Sequence, residues 1–167
     1  MENDVLLRLE RVETQLALQR LAADYCVGAD QQDLSRWLAV WTQDAVWDAA
    51  GDDLDDDEHR FRGIEAIAAA VQGQWATFPR MQHAGANHIV ELDPDDPDRA
   101  TGRSDVVVTV QLPDGQWVIG GGVYDDTYRR QDGVWRIAVR RVLRSFDLQP
   151  LPASHGPAHI PDPDDEL

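Results

Sequence analysis

The sequence predicts an α+β fold in which N-terminal helices pack on a curved antiparallel sheet. Apolar residues recur at helical spacing before Pro79, and apolar and polar residues alternate after it. Strong turn signals rich in Asp, Pro and Gly divide the second part, at residues 93–98, 113–115 and 131–133. Helices followed by consecutive strands favour a strand meander over a parallel βαβ arrangement.

Three helices and one short strand are predicted before Pro79. The first helix carries its apolar side on Val5, Leu9, Val12 and Leu16, continued by Leu18, Leu21, Ala22 and Tyr25. A second helix is predicted over residues 33–41, with Asp33 as its N-cap. Residues 45–48 form the short strand, and a third helix over residues 64–78 ends before Pro79.

Four long strands are predicted after Pro79, over residues 81–92, 100–112, 116–130 and 134–146. Glycines 120–122 lie inside the third strand, where the missing side chains allow a close approach of backbone. Residues 1–147 are predicted to form one domain. The proline-rich residues 148–167 are predicted to form a tail that lies over the surface or is partly disordered, and the acidic residues 51–58 a solvated loop.

The charge balance excludes several classes of function. The chain of 167 residues has 15 basic residues, all arginine, and 31 acidic residues, for a formal net charge of −16. Nucleic acids and anionic membranes both attract basic surfaces, so neither is an expected partner. Because the sequence contains no lysine, Schiff-base and pyridoxal-phosphate chemistry are excluded. Neither a signal peptide nor a membrane span is predicted, and we expect a cytoplasmic location.

Four residues are polar where their surroundings favour apolar side chains. Tyr25 and Asp30 close the first helix, His83 opens the first long strand, and Arg140 lies inside the last one. Buried polar groups are costly unless they are paired, so several of them converging from distant segments indicate a functional site.

Strand geometry predicts which of these side chains point together. On an extended strand, residues an even number apart share a face. We therefore expect His83 and Asn87 to point to one side and His88 to the other. By the same rule Arg140 is expected on the opposite face from Trp135. A β-bulge resets this parity.

Segments in both halves of the chain resemble a known family. They are Ala29-Asp30, Trp37, residues 41–47, residues 61–67, His83 with Asn87, residues 121–128 and residues 132–137. Their order resembles the SnoaL-like domain of the nuclear transport factor 2-like superfamily, which has a cone-shaped α+β fold. Within it, the chain is most similar to the branch of scytalone dehydratase, bile-acid 7α-dehydratase and hexachlorocyclohexane dehydrochlorinase.

The resemblance implies roles for individual residues. Enzymes of this branch eliminate water or hydrogen chloride with a His–Asp pair, without a metal or organic cofactor. Asp30 and His83 match that pair, and Arg140 matches an arginine of the cavity. Tyr25 and Asp105 match residues of the bile-acid dehydratase. The dehydrochlorinase has lysine at the Tyr25 position, and this difference favours a dehydratase or an isomerase.

Three further residues lie in or beside the matched segments. Asn87, Trp47 and Tyr124 are predicted, together with Asp105, to contact the substrate. No metal ligand is predicted, because His83 and His88 cannot easily reach one ion from the same strand face.

General acid–base chemistry suits this set of residues. Removing a proton beside a carbonyl requires a positioned base, and histidine is the natural choice. Asp30 would fix the tautomer of His83 and stabilise its imidazolium form. Tyr25 and Arg140 would donate to a developing enolate or to a leaving group.

The predicted function is that of a cofactor-independent lyase or isomerase, acting by dehydratase-like elimination, isomerisation or cyclisation. The resemblance implies a hydrophobic, ring-bearing substrate such as a polyketide, steroid or terpenoid. A homodimer or homotrimer is the expected assembly.

Structural alternatives exist for each residue. Asp30 could simply end the first helix, His83 could be a core histidine, and Tyr25 could anchor packing through its ring. Arg140 could pair with Asp105 or Asp126. The alternative function is a non-catalytic small-molecule-binding or assembly module of the same fold, such as a dioxygenase small subunit.

Overall fold

The computed structural model describes residues 2–50 and 57–151, with three helices and six strands in this part of the chain. In chain order they are α1 Glu2–Asp30, α2 Leu34–Ala39, β1 Trp41–Asp48, β2 Arg60–Arg62, α3 Ile64–Thr77, β3 Arg80–Leu92, β4 Arg99–Gln111, β5 Trp117–Gln131 and β6 Val134–Pro150. The predicted α+β class is confirmed: the helices pack on a curved, unclosed sheet.

The strand order across the sheet is β2-β1-β6-β5-β4-β3. Strands β3 to β6 form the antiparallel meander that the turn signals predicted. Strand β1 pairs in parallel with β6, so the whole sheet is mixed. Parallel neighbours need a long connection, and the chain between β1 and β6 supplies it.

Several boundaries differ from the predicted ones. Helix α2 ends at Ala39, because Trp41 already pairs with Ile137 of β6 and starts β1. The short strand β2 was not predicted; it forms an edge that pairs only with β1. Strand β6 continues to Pro150, three residues into the predicted tail. The rest of that tail after Leu151, and most of the acidic loop, lie outside the described residues.

Helix α1 has two apolar faces rather than the single one predicted. Leu18 and Tyr25 are buried and face the sheet. Leu9 and Leu16 are more than half exposed, at 51% and 59%. Leu18 follows Leu9 by nine residues, about two and a half helical turns, which places it on the opposite side of the helix. Helical spacing therefore identified α1 but not the side that packs.

A tryptophan cluster is formed by residues of α2 and β1. Trp37 of α2 and Trp41 and Trp47 of β1 are almost fully buried, and their ring centroids are 5.4–6.2 Å apart. Asp33 caps α2 as predicted, since its carboxylate accepts a hydrogen bond from the Arg36 backbone N–H at 3.0 Å. Among the described residues, none of the helices is long and apolar enough to cross a membrane.

Gly122 marks the closest approach of β5 to β6. A Cβ atom added there would collide with the Leu143 carbonyl oxygen and lie 3.3 Å from the Arg144 Cα atom. We expect Gly122→Ala to lower the free energy of unfolding by about 1–3 kcal/mol, because backbone must shift to admit the methyl group. Urea unfolding measures this change.

The matched control is Gly73→Ala in α3, where an added Cβ atom meets nothing within 4 Å. Alanine favours a helix over glycine, so this variant is expected to gain about 0.5–1 kcal/mol. Equal effects of the two substitutions would contradict the proposed close approach.

Candidate active site

Asp30 and His83 form a hydrogen-bonded pair where the end of α1 meets the start of β3. The His83 backbone N–H donates to both Asp30 carboxylate oxygens, at 3.1 and 2.9 Å. The His83 Nδ1 atom lies 2.6 Å from Asp30 Oδ1. Because a carboxylate accepts, this contact places a proton on Nδ1, so that in the neutral ring Nε2 holds the lone pair. The two side chains are only 11% and 20% exposed, so the pair is largely shielded from water.

Arg140 is fully enclosed and holds a second ion pair. Its Nε and Nη2 atoms donate to the two Asp126 oxygens at 2.8 and 2.6 Å. Asp126 and Arg140 face each other across β5 and β6, which accounts for the bidentate geometry. Burial alone would lower the pKa of Arg140, but the Asp126 carboxylate outweighs it and holds that pKa above its usual value. Pairing with Asp126 was one of the alternatives left open by the sequence.

Two tyrosine rings pack against the Arg140 guanidinium from adjacent sides. Its carbon lies 3.9 Å from the centroid of Tyr25 and 4.2 Å from that of Tyr124. Both contacts are cation–π interactions in a dry environment, where they are strongest. The remaining nitrogen of Arg140, Nη1, is buried without a hydrogen-bond partner in the described part of the chain. Arg140 is thus oriented with one donor left unused.

Tyr25 is a packing residue as well as a neighbour of the ion pair. Its ring lies 4.4 Å from that of Trp37 and 6.2 Å from that of His83, centroid to centroid. Burial raises the pKa of Tyr25 to about 12, so its hydroxyl keeps its proton at neutral pH. Tyr25 therefore connects the tryptophan cluster to Arg140 through ring contacts.

A cavity of about 400 Å³ opens beside these groups, between α1 and the inner face of the sheet. The α1 side is lined by small, mainly apolar residues that include Ala22, Ala23 and Val27. The sheet side is more polar and contributes His83, Asn87, His88, Ser104, Tyr124 and Arg140. A largely apolar chamber with a few convergent polar groups is the usual form of a small-molecule site.

Two predicted substrate contacts lie outside this cavity. Asp105 is exposed on the outer face of β4, whereas its neighbour Ser104 points inward. There Asp105 accepts a hydrogen bond at 2.7 Å from the side chain of Asn87, which borders the cavity. Trp47 is buried in the tryptophan cluster and packs on Phe61. The structure thus places Tyr124 at the cavity and leaves Asp105 and Trp47 away from it. Asn87 borders the cavity, but its side-chain amide is bonded to Asp105 on the outer face.

A β-bulge reverses the predicted orientation of His88. Between Ala86 and Ile89, β3 advances by one residue more than β4, and Asn87 adopts a left-handed conformation with φ of 52°. The bulge turns His88 inward, where its Nε2 atom lies 3.0 Å from the Tyr128 hydroxyl. The expectation that His88 points away from the site is therefore wrong. The expectation that Asn87 shares the face of His83 is also wrong, because its side-chain amide bonds to Asp105 on the outer face.

A second bulge corrects the predicted face of Arg140. Opposite Thr127 and Tyr128, β6 contains the extra residue Ala138. Arg140 consequently shares the inner face with Trp135 instead of opposing it. Both errors have the same cause, since one inserted residue inverts every side chain beyond it.

Tyr128 and His88 are site residues that the sequence did not single out. The Tyr128 hydroxyl donates to Asp126 Oδ2 at 2.6 Å, which links His88 to the Asp126–Arg140 pair. A usable signal existed in the alternation Tyr124, Asp126, Tyr128 along β5, because residues two apart share a strand face. Within the described ranges, no group of three or more His, Cys, Asp or Glu side chains could hold a metal ion.

Helices packed on this curved, unclosed sheet define a nuclear transport factor 2-like fold. The chain belongs to the SnoaL-like domain family, because the model of that family matches residues 10–141. The γ-hexachlorocyclohexane dehydrochlorinase of Sphingobium indicum is 28% identical over 149 residues, covering 88% of this chain and 90% of the relative.

Solved structures agree with this assignment. A type 2 hexachlorocyclohexane dehydrochlorinase superimposes with a TM-score of 0.76 at 26% identity, covering 92% of this chain and 99% of that one. A Mycobacterium tuberculosis protein of unknown function is 32% identical, with a TM-score of 0.68 and coverage of 81% and 73%. A scytalone dehydratase-like protein of Novosphingobium aromaticivorans shares the fold at 19% identity, with a TM-score of 0.72 and coverage of 82% and 87%. These similarities support a lyase-type enzyme.

Proposed function

We propose that the chain is a cofactor-independent lyase or isomerase in which His83 abstracts a proton from a hydrophobic, ring-bearing small molecule. The observation that carries this proposal is the 2.6 Å contact between His83 Nδ1 and Asp30 at the edge of the cavity. That contact leaves Nε2 of His83 as the basic atom. The charge of Asp30 then stabilises the imidazolium that proton transfer creates.

Arg140 is proposed to stabilise the negative charge that develops on the substrate. Asp126 and the two tyrosine rings fix its guanidinium, and Nη1 is buried without a hydrogen-bond partner in the described part of the chain. A donor that is already oriented costs no reorganisation when an enolate or a departing anion forms. Tyr124, which borders the cavity and stacks on Arg140, would contact the ring of the substrate.

The reaction we propose is dehydratase-like elimination, with isomerisation or cyclisation as variants that begin with the same proton abstraction. The name of the Sphingobium relatives describes elimination of hydrogen chloride from a chlorinated cyclohexane ring. The apolar α1 wall supports a hydrophobic ring as substrate, and polyketide, steroid and terpenoid rings all fit this description.

The test is α-proton exchange in D₂O, because exchange reports proton abstraction without requiring the true leaving group. α-Tetralone and cyclohexanone serve as probe ketones, and ¹H NMR follows the loss of their α-proton signals. Chloride release from γ-hexachlorocyclohexane is measured in parallel. Exchange or chloride release by the parent protein, and none by His83→Ala, would support the proposal.

A probe ketone that binds the parent protein without any exchange or release would point to the non-catalytic binding module. Binding is measured by calorimetry on the same samples, so that failure to bind and failure to react are separated.

A further inference from the structure

His88 has a forced tautomer, because of the hydrogen bonds that lead from it to Arg140. Asp126 accepts two hydrogen bonds from the guanidinium of Arg140, so its carboxylate is ionised and has no proton to give. The hydroxyl group of Tyr128 therefore donates its single proton in the 2.6 Å hydrogen bond to Asp126. The Tyr128 oxygen can then only accept from His88, 3.0 Å away, and Nε2 of His88 must carry the proton.

The other ring nitrogen of His88, Nδ1, is consequently an acceptor without a donor. Burial lowers the pKa of His88, and Arg140 acts in the same direction against the opposing charge of Asp126, so the ring is neutral at neutral pH. The Nδ1 atom then holds a lone pair. It is buried, and no residue that the structure describes donates to it.

An unpaired acceptor inside a protein is destabilising, because it has given up its hydrogen bonds to water without replacement. His88 borders the cavity together with Arg140, whose Nη1 atom is an unpaired donor. Asp126 holds Arg140 directly and His88 through Tyr128, so one carboxylate orients both groups. Two residues that border the cavity thus each carry a buried, unpaired polar nitrogen, a donor in Arg140 and an acceptor in His88.

We propose that His88 is a substrate-binding residue whose Nδ1 atom accepts a hydrogen bond from a hydroxyl group of the bound molecule. The substrate would accordingly be a hydroxylated ring, with a carbonyl or other acceptor directed to Arg140. A ring that carries only halogen or hydrocarbon substituents leaves Nδ1 unpaired and binds more weakly. This assignment takes the location of the site from the proposed function but requires no catalysis.

The binding test compares 2-naphthol with 2-methylnaphthalene, two ligands of similar size of which only the first can donate. Calorimetry gives the affinity of each for the parent protein and for His88→Leu. We expect the substitution to weaken 2-naphthol about ten- to hundredfold, which corresponds to one lost hydrogen bond with an unpaired partner. The affinity for 2-methylnaphthalene should remain within about twofold, because a methyl group makes no use of Nδ1.

A ligand-free measurement keeps the proposal testable if the variant does not fold or if neither naphthalene binds. Long-range ¹H–¹⁵N NMR of the histidine-labelled parent protein reports which nitrogen of each ring carries the proton. The His88 signals should show protonated Nε2 and unprotonated Nδ1. Protonated Nδ1, or equal loss of affinity for the two ligands, would overturn the assignment.

The two proposals fail in different ways. Absence of α-proton exchange with an intact preference for 2-naphthol would overturn catalysis and leave the role of His88 standing. Exchange that depends on His83, together with equal effects of His88→Leu on both ligands, would support catalysis and overturn the role of His88.

Discussion

Replacing Asp126 with alanine is expected to lower the free energy of unfolding by about 3–5 kcal/mol, the range typical of breaking a buried ion pair. The side chains of Arg140 and Asp126 are only 1% and 0% exposed. The substitution removes both acceptors of the guanidinium, at 2.8 and 2.6 Å, and leaves its positive charge inside the protein. Tyr128 loses its acceptor in the same step.

In this variant the charge of Arg140 can be neither neutralised nor readily hydrated. Its side chain is only 1% exposed, and the rings of Tyr25 and Tyr124 pack against its guanidinium, so reaching water would require neighbouring side chains to move. Arginine does not shed its proton within the stability range of a protein. Cation–π contacts remain in the variant, but they are worth only about 2 kcal/mol and cannot replace a carboxylate.

Asp125→Ala is the matched control, since Asp125 is the exposed neighbour of Asp126 on the same strand. Urea unfolding should show a change within about 0.5 kcal/mol for this control. A double variant, Asp126→Leu with Arg140→Met, should regain most of the lost stability, because apolar replacements remove both charges. An Asp126→Ala protein as stable as the parent would show that the pair is not buried in solution.

Much of the fold could be predicted because it rests on local signals. Turn residues at 113–115 and 131–133 separate strands that pair with their sequence neighbours, and Asp33 caps α2 through its own side chain. The parallel pairing of β1 with β6 joins segments far apart in the chain, and no local pattern encodes such a contact. The same limit applies to α1, where two faces carry apolar residues and only packing selects between them.

The sequence predicted most residues of the site, but it predicted less well which way their side chains point. Asp30 and His83 were identified as polar residues at the ends of elements, and element ends are little affected by what happens inside a strand. The inward turn of His88 and of Arg140 depends on one extra residue in each of β3 and β6. A bulge has no strong sequence signature, so strand parity fails beyond it.

Removing the base should abolish most of the activity. For His83→Gln we expect a fall in kcat of about 10²–10⁴-fold, the usual contribution of a positioned general base. Glutamine keeps a similar volume and the backbone N–H that Asp30 accepts, so the end of α1 stays attached to β3. Rates of α-proton exchange or elimination measure the effect. KM should change little, since the base acts on the reacting proton rather than on the remainder of the ring.

Asp30→Asn separates the electrostatic role of the carboxylate from its structural role as a hydrogen-bond acceptor for His83. The asparagine oxygen can still accept from His83, but a neutral amide no longer stabilises the imidazolium that forms during proton transfer. We expect kcat to fall about 10–100-fold, which corresponds to the loss of one charge-assisted hydrogen bond. The control is Asp33→Asn close by, because asparagine caps a helix as well as aspartate does.

The pattern across the three variants decides whether the pair acts chemically. Loss of activity in His83→Gln and Asp30→Asn, with Asp33→Asn unchanged and all three proteins equally stable to urea, assigns Asp30 and His83 to proton transfer. Full activity in Asp30→Asn would contradict that role, and the 2.6 Å contact would then serve only to fasten the end of α1 to the sheet. An equal loss in Asp33→Asn would instead trace the effect to the α1–α2 junction, since Asp33 touches the backbone of Arg36 and makes no contact with His83.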